Sequence, residues 1–215
     1  MLRVSLISEN FNFLDGDLAS KIEAQNGKPF PEDLILDWFT QICLALKHVH
    51  DRKVLHRDLK SKNIFLGKGN VIKLGDFGIA KALSDTFENA KTVTGTPYYF
   101  SPELIQGQPY SFKSDIWSLG VLLYEMCSLK PPFEASNIGA LVLKIQRGNY
   151  SPIPKQYSTE LQNLVDSLLQ LDPFRRPNIN GILENPIIQE RIYKFLPEDL
   201  RSSEFSHTIL HNKVR

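Results

Sequence analysis

The segment SDIWSLGVLLYEMCSL, residues 114–129, is apolar on nearly every face that a helix would present. Near its middle and end, the only polar residues are Ser118, Glu125 and Ser128. A helix on a protein surface has one apolar stripe, whereas a helix that is apolar all round has to be enclosed by other elements. We therefore predict a helix that is buried on all sides and forms the central element of a domain.

The rest of the chain supplies elements that can enclose such a helix. In residues 32–50 the apolar side chains recur with the spacing of an amphipathic helix. The runs NIFLG and VIKLG flank GKGN, which predicts a β-hairpin with glycines in its turn. Further helical segments are predicted at residues 138–147, at residues 160–171 and from Pro186 onward. Residues 87–103 lack periodicity and predict a long loop, so the expected fold class is mostly α with small β-hairpins.

The composition argues against several classes of partner. The 215 residues include 25 Lys plus Arg and 24 Asp plus Glu, a net charge of +1, so no global field recruits nucleic acid or a membrane surface. No run reaches the ~18 apolar residues that a membrane span needs. Cys43 and Cys127 lie in apolar helical patterns, which favours buried free thiols in a reducing, cytoplasmic compartment. His48 and His50 face different sides of one helix and are expected to be structural.

The stretch VLHRDLKSKNIFLGKGNVIKLGDFG, residues 54–78, concentrates residues that can carry chemistry. HRDLKSKN followed by DFG resembles the catalytic loop and the metal-binding motif of protein kinases, in residue type and in order. The resemblance implies phosphoryl transfer from ATP, for which a site orients a hydroxyl, holds magnesium and neutralises phosphate charge. It also implies a protein-kinase-like fold, of which this chain matches the large C-terminal lobe.

The resemblance gives each of these tasks to a residue of the stretch. It implies that Asp58 accepts the proton of the substrate hydroxyl, and that Lys60 lies beside the transferring phosphate as a point charge. Asn63 and Asp76 would supply the hard oxygen ligands that suit magnesium. Phe65, on the hairpin, is expected to form the apolar floor beneath the adenine of ATP.

Further motifs follow in the order of a kinase. Phe77 and Gly78 complete the DFG motif, and SPE, which ends at Glu103, stands where the APE motif closes the activation segment. DIWSLG, which begins at Asp115, matches the D-x-W-x-x-G helix, and Arg176 of RRP is the expected partner of Glu103. Together these motifs indicate the larger lobe of the kinase fold.

The loop between these motifs offers a candidate regulatory site. The Arg57 guanidinium can grip a phosphate with two hydrogen bonds, and Thr92 is the best candidate to carry that phosphate. Phosphorylation of Thr92 would order the loop and switch the site on, whereas the alternative is a plain loop threonine. Thr96 is expected to hydrogen-bond Asp58 and Lys60. Lys60 and GTPYY both favour serine or threonine over tyrosine as the substrate residue.

The runs HVHDRKVLHRDLKSKNIFL, LGDFGIAKAL, GTPYYFSPEL, KSDIWSLGVLLYEMCSLK and PFEASN together resemble the NIMA-related (Nek) serine/threonine kinases. The match covers residues 16–188, between a poorly matched start at residues 1–15 and a C-terminal tail at residues 189–215. It implies a magnesium-dependent transfer of phosphate from ATP to a Ser or Thr of a protein substrate. It also implies roles in the cell cycle, with partners or locations among microtubules, centrosomes, cilia and the cytoskeleton.

The sequence departs from the family pattern at its start. The glycine-rich loop, the strand lysine and the helix glutamate of the N-terminal lobe are not found before the catalytic loop, and Gly67 and Gly69 follow it. Without these groups ATP would not be covered by an N-terminal lobe. A loss of about 4 kcal/mol in such contacts weakens ATP binding ~1,000-fold. We expect the chain to be a fragment, a partial gene model or a truncated isoform of an active kinase. The alternative is a non-catalytic scaffold or decoy lobe that binds substrates or a kinase partner.

Overall fold

The computed structural model of the protein describes residues 14–75 and 97–195, with side chains from residue 16 onward. Within these residues the fold consists of eight α-helices and one three-stranded antiparallel sheet. The strands are β1 (Leu14–Asp17), β2 (Ile64–Gly67) and β3 (Val71–Leu74). The helices are α1 (Leu18–Glu23), α2 (Glu32–Asp51), α3 (Pro102–Ile105), α4 (Phe112–Ser128), α5 (Ile138–Arg147), α6 (Thr159–Leu168), α7 (Ile179–Leu183) and α8 (Pro186–Phe195). The prediction of a mostly helical fold with a small hairpin is confirmed.

Helix α4 is the central element, as its apolar sequence predicts. Of its 17 residues, 13 are buried. It begins at a capping box. The Ser111 hydroxyl accepts the backbone N–H of Lys113, and the Ser114 hydroxyl accepts the backbone N–H of Ser111. It ends where Leu129 adopts a left-handed conformation with φ 57°. A helix of this kind can be stable only inside a shell of other helices, and α2 and α6 supply part of that shell.

Helix α2 is amphipathic, and it runs one residue beyond the predicted range of 32–50. Its apolar face packs against α4, α7, α8 and strand β3. On its outer face, Asp33 and Asp37 form ion pairs with Arg191 of α8. The helix therefore joins the sheet to the C-terminal helices.

The predicted hairpin is present as β2 and β3. Its turn is made by Gly69 (φ 72°) and Asn70 (φ 62°), whereas Gly67 has an extended backbone (φ −107°) and belongs to the strand. Only one of the two predicted turn glycines is therefore needed for its conformational freedom. The Gln41 side chain of α2 fixes the hairpin, because it donates to the Asn70 carbonyl and accepts the Ile72 N–H, each at 3.0 Å.

Strand β1 is an element that the sequence pattern did not predict. The chain pairs with β2 as far as Asp17, which lies opposite Phe65. Helix α1 begins only at Leu18, where Asp17 Oδ1 accepts the backbone N–H of Ser20 at 2.8 Å. Pairing with a distant strand is a tertiary contact, which local periodicity does not reveal.

Both cysteines are free and fully buried, as predicted. Burial raises the pKa of the Cys43 and Cys127 thiols, so neither has the thiolate character of a reactive cysteine. None of the helices in the described part of the chain is long and apolar enough for a membrane crossing.

Candidate active site

The segment between α2 and β2, which resembles a catalytic loop, is fixed to the central helix by Asp115. The Asp115 side chain is fully buried in the first turn of α4, and its two carboxylate oxygens accept the backbone N–H groups of His56 and Arg57, each at 3.0 Å. The same carboxylate accepts hydrogen bonds from His50 Nε2 at 2.8 Å and from the Tyr110 hydroxyl at 2.6 Å. The start of the loop therefore has a fixed position relative to α4.

These hydrogen bonds affect both the carboxyl group and the loop backbone. Burial alone would raise the pKa of Asp115, but the bonds from His50, Tyr110 and the loop N–H groups outweigh it and hold the pKa below its usual value. Arg57 has φ 68°, a left-handed conformation that costs a residue with a side chain about 1–3 kcal/mol. The bond from its N–H to Asp115 offsets this cost and leaves the Arg57 side chain exposed.

Three of the candidate catalytic residues meet at one carboxylate. Lys60 Nζ lies 2.7 Å from Asp58 Oδ2, and Asn63 Nδ2 donates to the same oxygen at 2.9 Å. The side chains of Lys60 and Asp58 are 33% and 25% exposed, so the group opens towards solvent. A carboxylate that is oriented by two donors and can be reached by a bound molecule is suited to accept a proton from a hydroxyl.

The Asn63 side chain has a defined orientation. Its Nδ2 also donates to the Asp58 backbone carbonyl at 2.7 Å, and because a carbonyl only accepts, the amide nitrogen has to face Asp58. The amide oxygen is then the atom that a cation could take, and it is the hard donor that suits Mg²⁺. Gly75, which precedes Asp76 in the sequence, donates its N–H to the Asn63 carbonyl at 2.9 Å. The two ends of the hairpin therefore meet at Asn63.

Phe65 lies in the middle strand, opposite Asp17 of β1 and Lys73 of β3. Its neighbours Ile64 and Leu66 are 0% and 4% exposed and point into the core, whereas Phe65 is half-buried. Successive side chains of a strand point to opposite faces of the sheet. Phe65 therefore lies on the face of the sheet that is turned away from the core.

Five of the predicted site residues lie outside the described residues, namely Asp76, Phe77, Gly78, Thr92 and Thr96. Their roles as metal ligand, motif residues and regulatory hydroxyls stay predictions. Across residues 14–75 and 97–195, no group of three or more His, Cys, Asp or Glu side chains could hold a metal ion. A metal site at Asn63 would therefore need ligands beyond the described residues, and Asp76 is the candidate that the sequence offers.

The remaining motif residues, Glu103 and Arg176, connect separate parts of the fold. Glu103, near the start of α3, forms a buried ion pair with Arg176, so the pair that the sequence predicts is present. The Ser114 hydroxyl of α4 donates to the same carboxylate at 2.8 Å. This cluster links α3, α4 and the segment before α7, and its burial points to a structural task.

Sequence reasoning did not single out one further cluster, which consists of Ser61, Tyr99 and Glu125. Ser61 lies between Lys60 and Asn63 in the sequence. Its backbone N–H donates to the Tyr99 hydroxyl, and its side-chain hydroxyl donates to the Glu125 carboxylate. The available signal was Glu125, a carboxylate in the apolar segment 114–129. A charged residue in such a position is rare unless it is paired, so it indicates a polar partner elsewhere in the fold.

Comparison with known proteins gives a consistent result. The sequence profile described as "Protein kinase domain" matches residues 3–188. The chain is 56% identical over 190 residues to "Serine/threonine-protein kinase Nek1" of Mus musculus, which covers 88% of this chain and 16% of that protein. It is 53% identical over 196 residues to "Serine/threonine-protein kinase Nek5" of Homo sapiens, covering 91% and 28%. It is 53% identical over 189 residues to "Probable serine/threonine-protein kinase nek3" of Dictyostelium discoideum, covering 86% and 17%. The chain thus spans less than a third of the length of each of these relatives.

Proposed function

The chain belongs to the protein kinase family as a Nek-related kinase domain, and from this premise we propose that it carries the transfer site of a serine/threonine protein kinase. The reaction would move the γ-phosphate of ATP to a Ser or Thr hydroxyl of a protein substrate. The observation that carries this proposal is the convergence of Lys60 Nζ and Asn63 Nδ2 on one carboxylate oxygen of Asp58. The scaffold alternative gains no support from the described residues or from the relatives, which are named as kinases.

In this proposal Asp58 orients the substrate hydroxyl and accepts its proton as the oxygen bonds to the γ-phosphorus and ADP leaves. Phosphoryl transfer has a loose transition state, so orientation and charge stabilisation contribute more than proton removal. Lys60 supports both tasks. It holds the Asp58 carboxylate at 2.7 Å, and its partly exposed ammonium group can approach a phosphate oxygen.

The donor set at Asn63 fits a divalent cation, for which we propose Mg²⁺. The amide oxygen of Asn63 and the carboxylate of Asp76, by its sequence position, would hold it. An ion held there would supply positive charge that offsets the negative charge developing on the phosphate during transfer. Phe65, on the outer face of the sheet, would support the adenine ring from below.

We also carry the regulatory prediction forward as a proposal. The Arg57 side chain is exposed, and its backbone is held by Asp115, so its guanidinium can meet a phosphate without a change of the loop. Thr92 would carry that phosphate and Thr96 would hydrogen-bond Asp58 and Lys60. A cytoplasmic location and partners among microtubules, centrosomes or cilia are proposed from the family resemblance alone.

The test compares two aspartate substitutions in the longest natural protein that contains this chain. Asp58→Asn removes the proton acceptor and keeps the shape of the side chain, whereas the control Asp51→Asn changes an exposed aspartate that pairs with Lys47 on its own helix. Transfer of labelled phosphate from ATP to dephosphorylated β-casein is measured with Mg²⁺. We expect kcat to fall at least ~100-fold for Asp58→Asn and by less than about twofold for Asp51→Asn.

Thermal unfolding of both variants shows whether a decrease in kcat comes from loss of the folded structure. If Asp58→Asn keeps the parent's rate, the assignment of Asp58 is wrong. If the parent transfers no phosphate although it is folded, the proposed activity is wrong.

A further inference from the structure

Ser61, Tyr99 and Glu125 form a hydrogen-bonded cluster beside the transfer site. The backbone N–H of Ser61 donates to the Tyr99 hydroxyl oxygen at 3.1 Å, and the Ser61 hydroxyl donates to Glu125 Oε1 at 3.2 Å. The Tyr99 hydroxyl in turn donates to Glu125 Oε2. Three donors thus meet three acceptors, and each oxygen of the carboxylate receives one hydroxyl.

The three members come from three separate parts of the fold. Ser61 opens the short 3₁₀ helix Ser61–Asn63, Tyr99 follows the undescribed residues 76–96, and Glu125 lies near the end of α4. The Ser118 hydroxyl holds the Tyr99 backbone carbonyl at 3.1 Å, so this segment is attached to α4 at two points. The cluster therefore fixes the catalytic-loop candidate and the segment around Tyr99 to the same rigid helix.

The surroundings of the cluster make its hydrogen bonds consequential. Ser61 is 4% exposed, and burial raises the pKa of both Tyr99 and Glu125. Tyr99 and Glu125 are themselves half-buried, so a group that loses its partner here recovers the hydrogen bond from water only in part, and the loss has a cost.

The backbone at Ser61 does not itself require serine. Lys60 has φ −160° and ψ 162°, the extended conformation that a residue before proline adopts, and Ser61 is the first residue of a 3₁₀ turn. Proline would be compatible with the extended Lys60 backbone, but its ring carbon would point at the Tyr99 hydroxyl oxygen, which lies 3.1 Å from the Ser61 nitrogen, and it would supply neither the N–H nor the hydroxyl. What serine adds here is the pair of donors to Tyr99 and Glu125.

We propose that Ser61 is a positioning residue of the transfer site, which locks the loop carrying Asp58, Lys60 and Asn63 to Tyr99 and to Glu125 of α4. The proposal rests on the proposed kinase function. Ser61 directly follows the lysine and is the first residue of the 3₁₀ turn that ends in Asn63. If its two donors are removed, the loop loses its link to α4 on this side, and Lys60 and Asn63 lose their fixed orientation towards Asp58.

Three substitutions in the longest natural protein that contains this chain separate the two donors. Ser61→Ala removes the hydroxyl and keeps the N–H, Ser61→Pro removes both, and Ser61→Thr keeps both. The matched control is Ser167→Ala, which removes a half-buried hydroxyl that donates to the Leu164 carbonyl of its own helix. We measure kcat and KM with ATP, Mg²⁺ and β-casein, the thermal midpoint, and amide hydrogen exchange of the peptide covering residues 59–66.

The expected result is a graded loss of kcat. We expect a fall of about threefold to tenfold for Ser61→Ala and more than about tenfold for Ser61→Pro, with KM for ATP within about twofold of the parent. Hydrogen exchange in residues 59–66 should increase in the same order. Ser61→Thr should recover kcat to within about threefold of the parent, and Ser167→Ala should match the parent.

Each contrary outcome has a distinct meaning. If the parent is active and Ser61→Ala and Ser61→Pro retain its kcat, the positioning role is wrong and the kinase proposal stands. If kcat falls only together with the thermal midpoint and Ser61→Thr does not restore it, Ser61 serves folding alone and the role is again wrong. If the folded parent is inactive, the kinase proposal fails and this inference fails with it.

Discussion

Arg176 and Glu103, which are 73 residues apart in the sequence, form a buried ion pair with two parallel hydrogen bonds of 2.8 Å. Their side chains are 0% and 6% exposed. The three other guanidinium N–H groups donate to the backbone carbonyls of Gln170, Lys113 and Leu171. All five donors of the arginine are therefore used, and only arginine has a planar group with that many donors.

Removal of the arginine should destabilise the fold strongly. Arg176→Ala leaves the buried Glu103 carboxylate and three partly buried carbonyls without the arginine, and breaking a buried pair in this way costs about 3–5 kcal/mol. The neighbouring Arg175 is a matched control, because its side chain is 76% exposed and lies 3.8 Å from Asp172. Arg175→Ala should change the free energy of unfolding by less than about 0.5 kcal/mol. Urea unfolding measures both, and equal effects of the two substitutions would contradict the structural role of the pair.

Acid should weaken the fold through the two buried carboxylates, Glu103 and Asp115. Burial alone would raise both pKa values, but the hydrogen bonds, together with the Arg176 charge at Glu103, outweigh it, so folding lowers the pKa of each carboxyl from its usual value. A carboxyl with a lower pKa in the folded state adds stability that is fully present above the unfolded pKa. That stability is lost as the pH falls through the folded pKa. The free energy of unfolding should therefore decrease as the pH is lowered below about 4.5.

Glu103→Gln isolates the contribution of one of these groups to the pH dependence. The difference in free energy of unfolding between parent and variant should be largest near neutral pH and should shrink as the pH falls below about 4.5. Glu160→Gln, at an exposed position of α6, provides the comparison. A parent-to-Glu103→Gln difference that stays constant from neutral to acid pH would show that the Glu103 pKa is not lowered by folding.

The contact between α4 and α6 depends on the absence of a side chain at Gly120. A Cβ at this position would lie 2.8 Å from Leu168 Cβ and 2.9 Å from Leu169 Cδ2, which is closer than carbon atoms approach. Gly120→Ala should therefore destabilise the protein by about 1–3 kcal/mol, as overpacking does in other cores. Chemical unfolding measures the effect.

The control for Gly120 is a glycine in an open part of a helix. At Gly139 of α5 the nearest atom to an added Cβ is Asn137 Oδ1 at 3.5 Å, an ordinary contact. Gly139→Ala should stabilise the protein by up to about 1 kcal/mol, because alanine loses less backbone entropy in a helix. If both substitutions change the free energy of unfolding in the same direction, close packing is not the reason that position 120 requires glycine.

Local patterns were sufficient for most elements of the fold. The apolar run 114–129 predicted a buried helix, and the spacing in residues 32–50 predicted an amphipathic helix. Both predictions were possible because helical periodicity is a pattern of residues that are close together in the sequence. The hairpin was predicted for the same reason, from two short runs and a turn. Strand β1 was not predicted, because residues 14–17 form a strand only through pairing with β2.

The sequence by itself determined which chemistry the chain resembles, since Asp58, Lys60 and Asn63 stand within a few residues of one another and the motifs follow in a fixed order. Tertiary structure alone decided how these side chains are held. The Asp115 carboxylate reaches the loop from a helix that begins more than 50 residues later, and Tyr99 and Glu125 reach Ser61 from comparable distances along the chain. Buried carboxylates need donors, and the fold alone determines which donors come within hydrogen-bond distance.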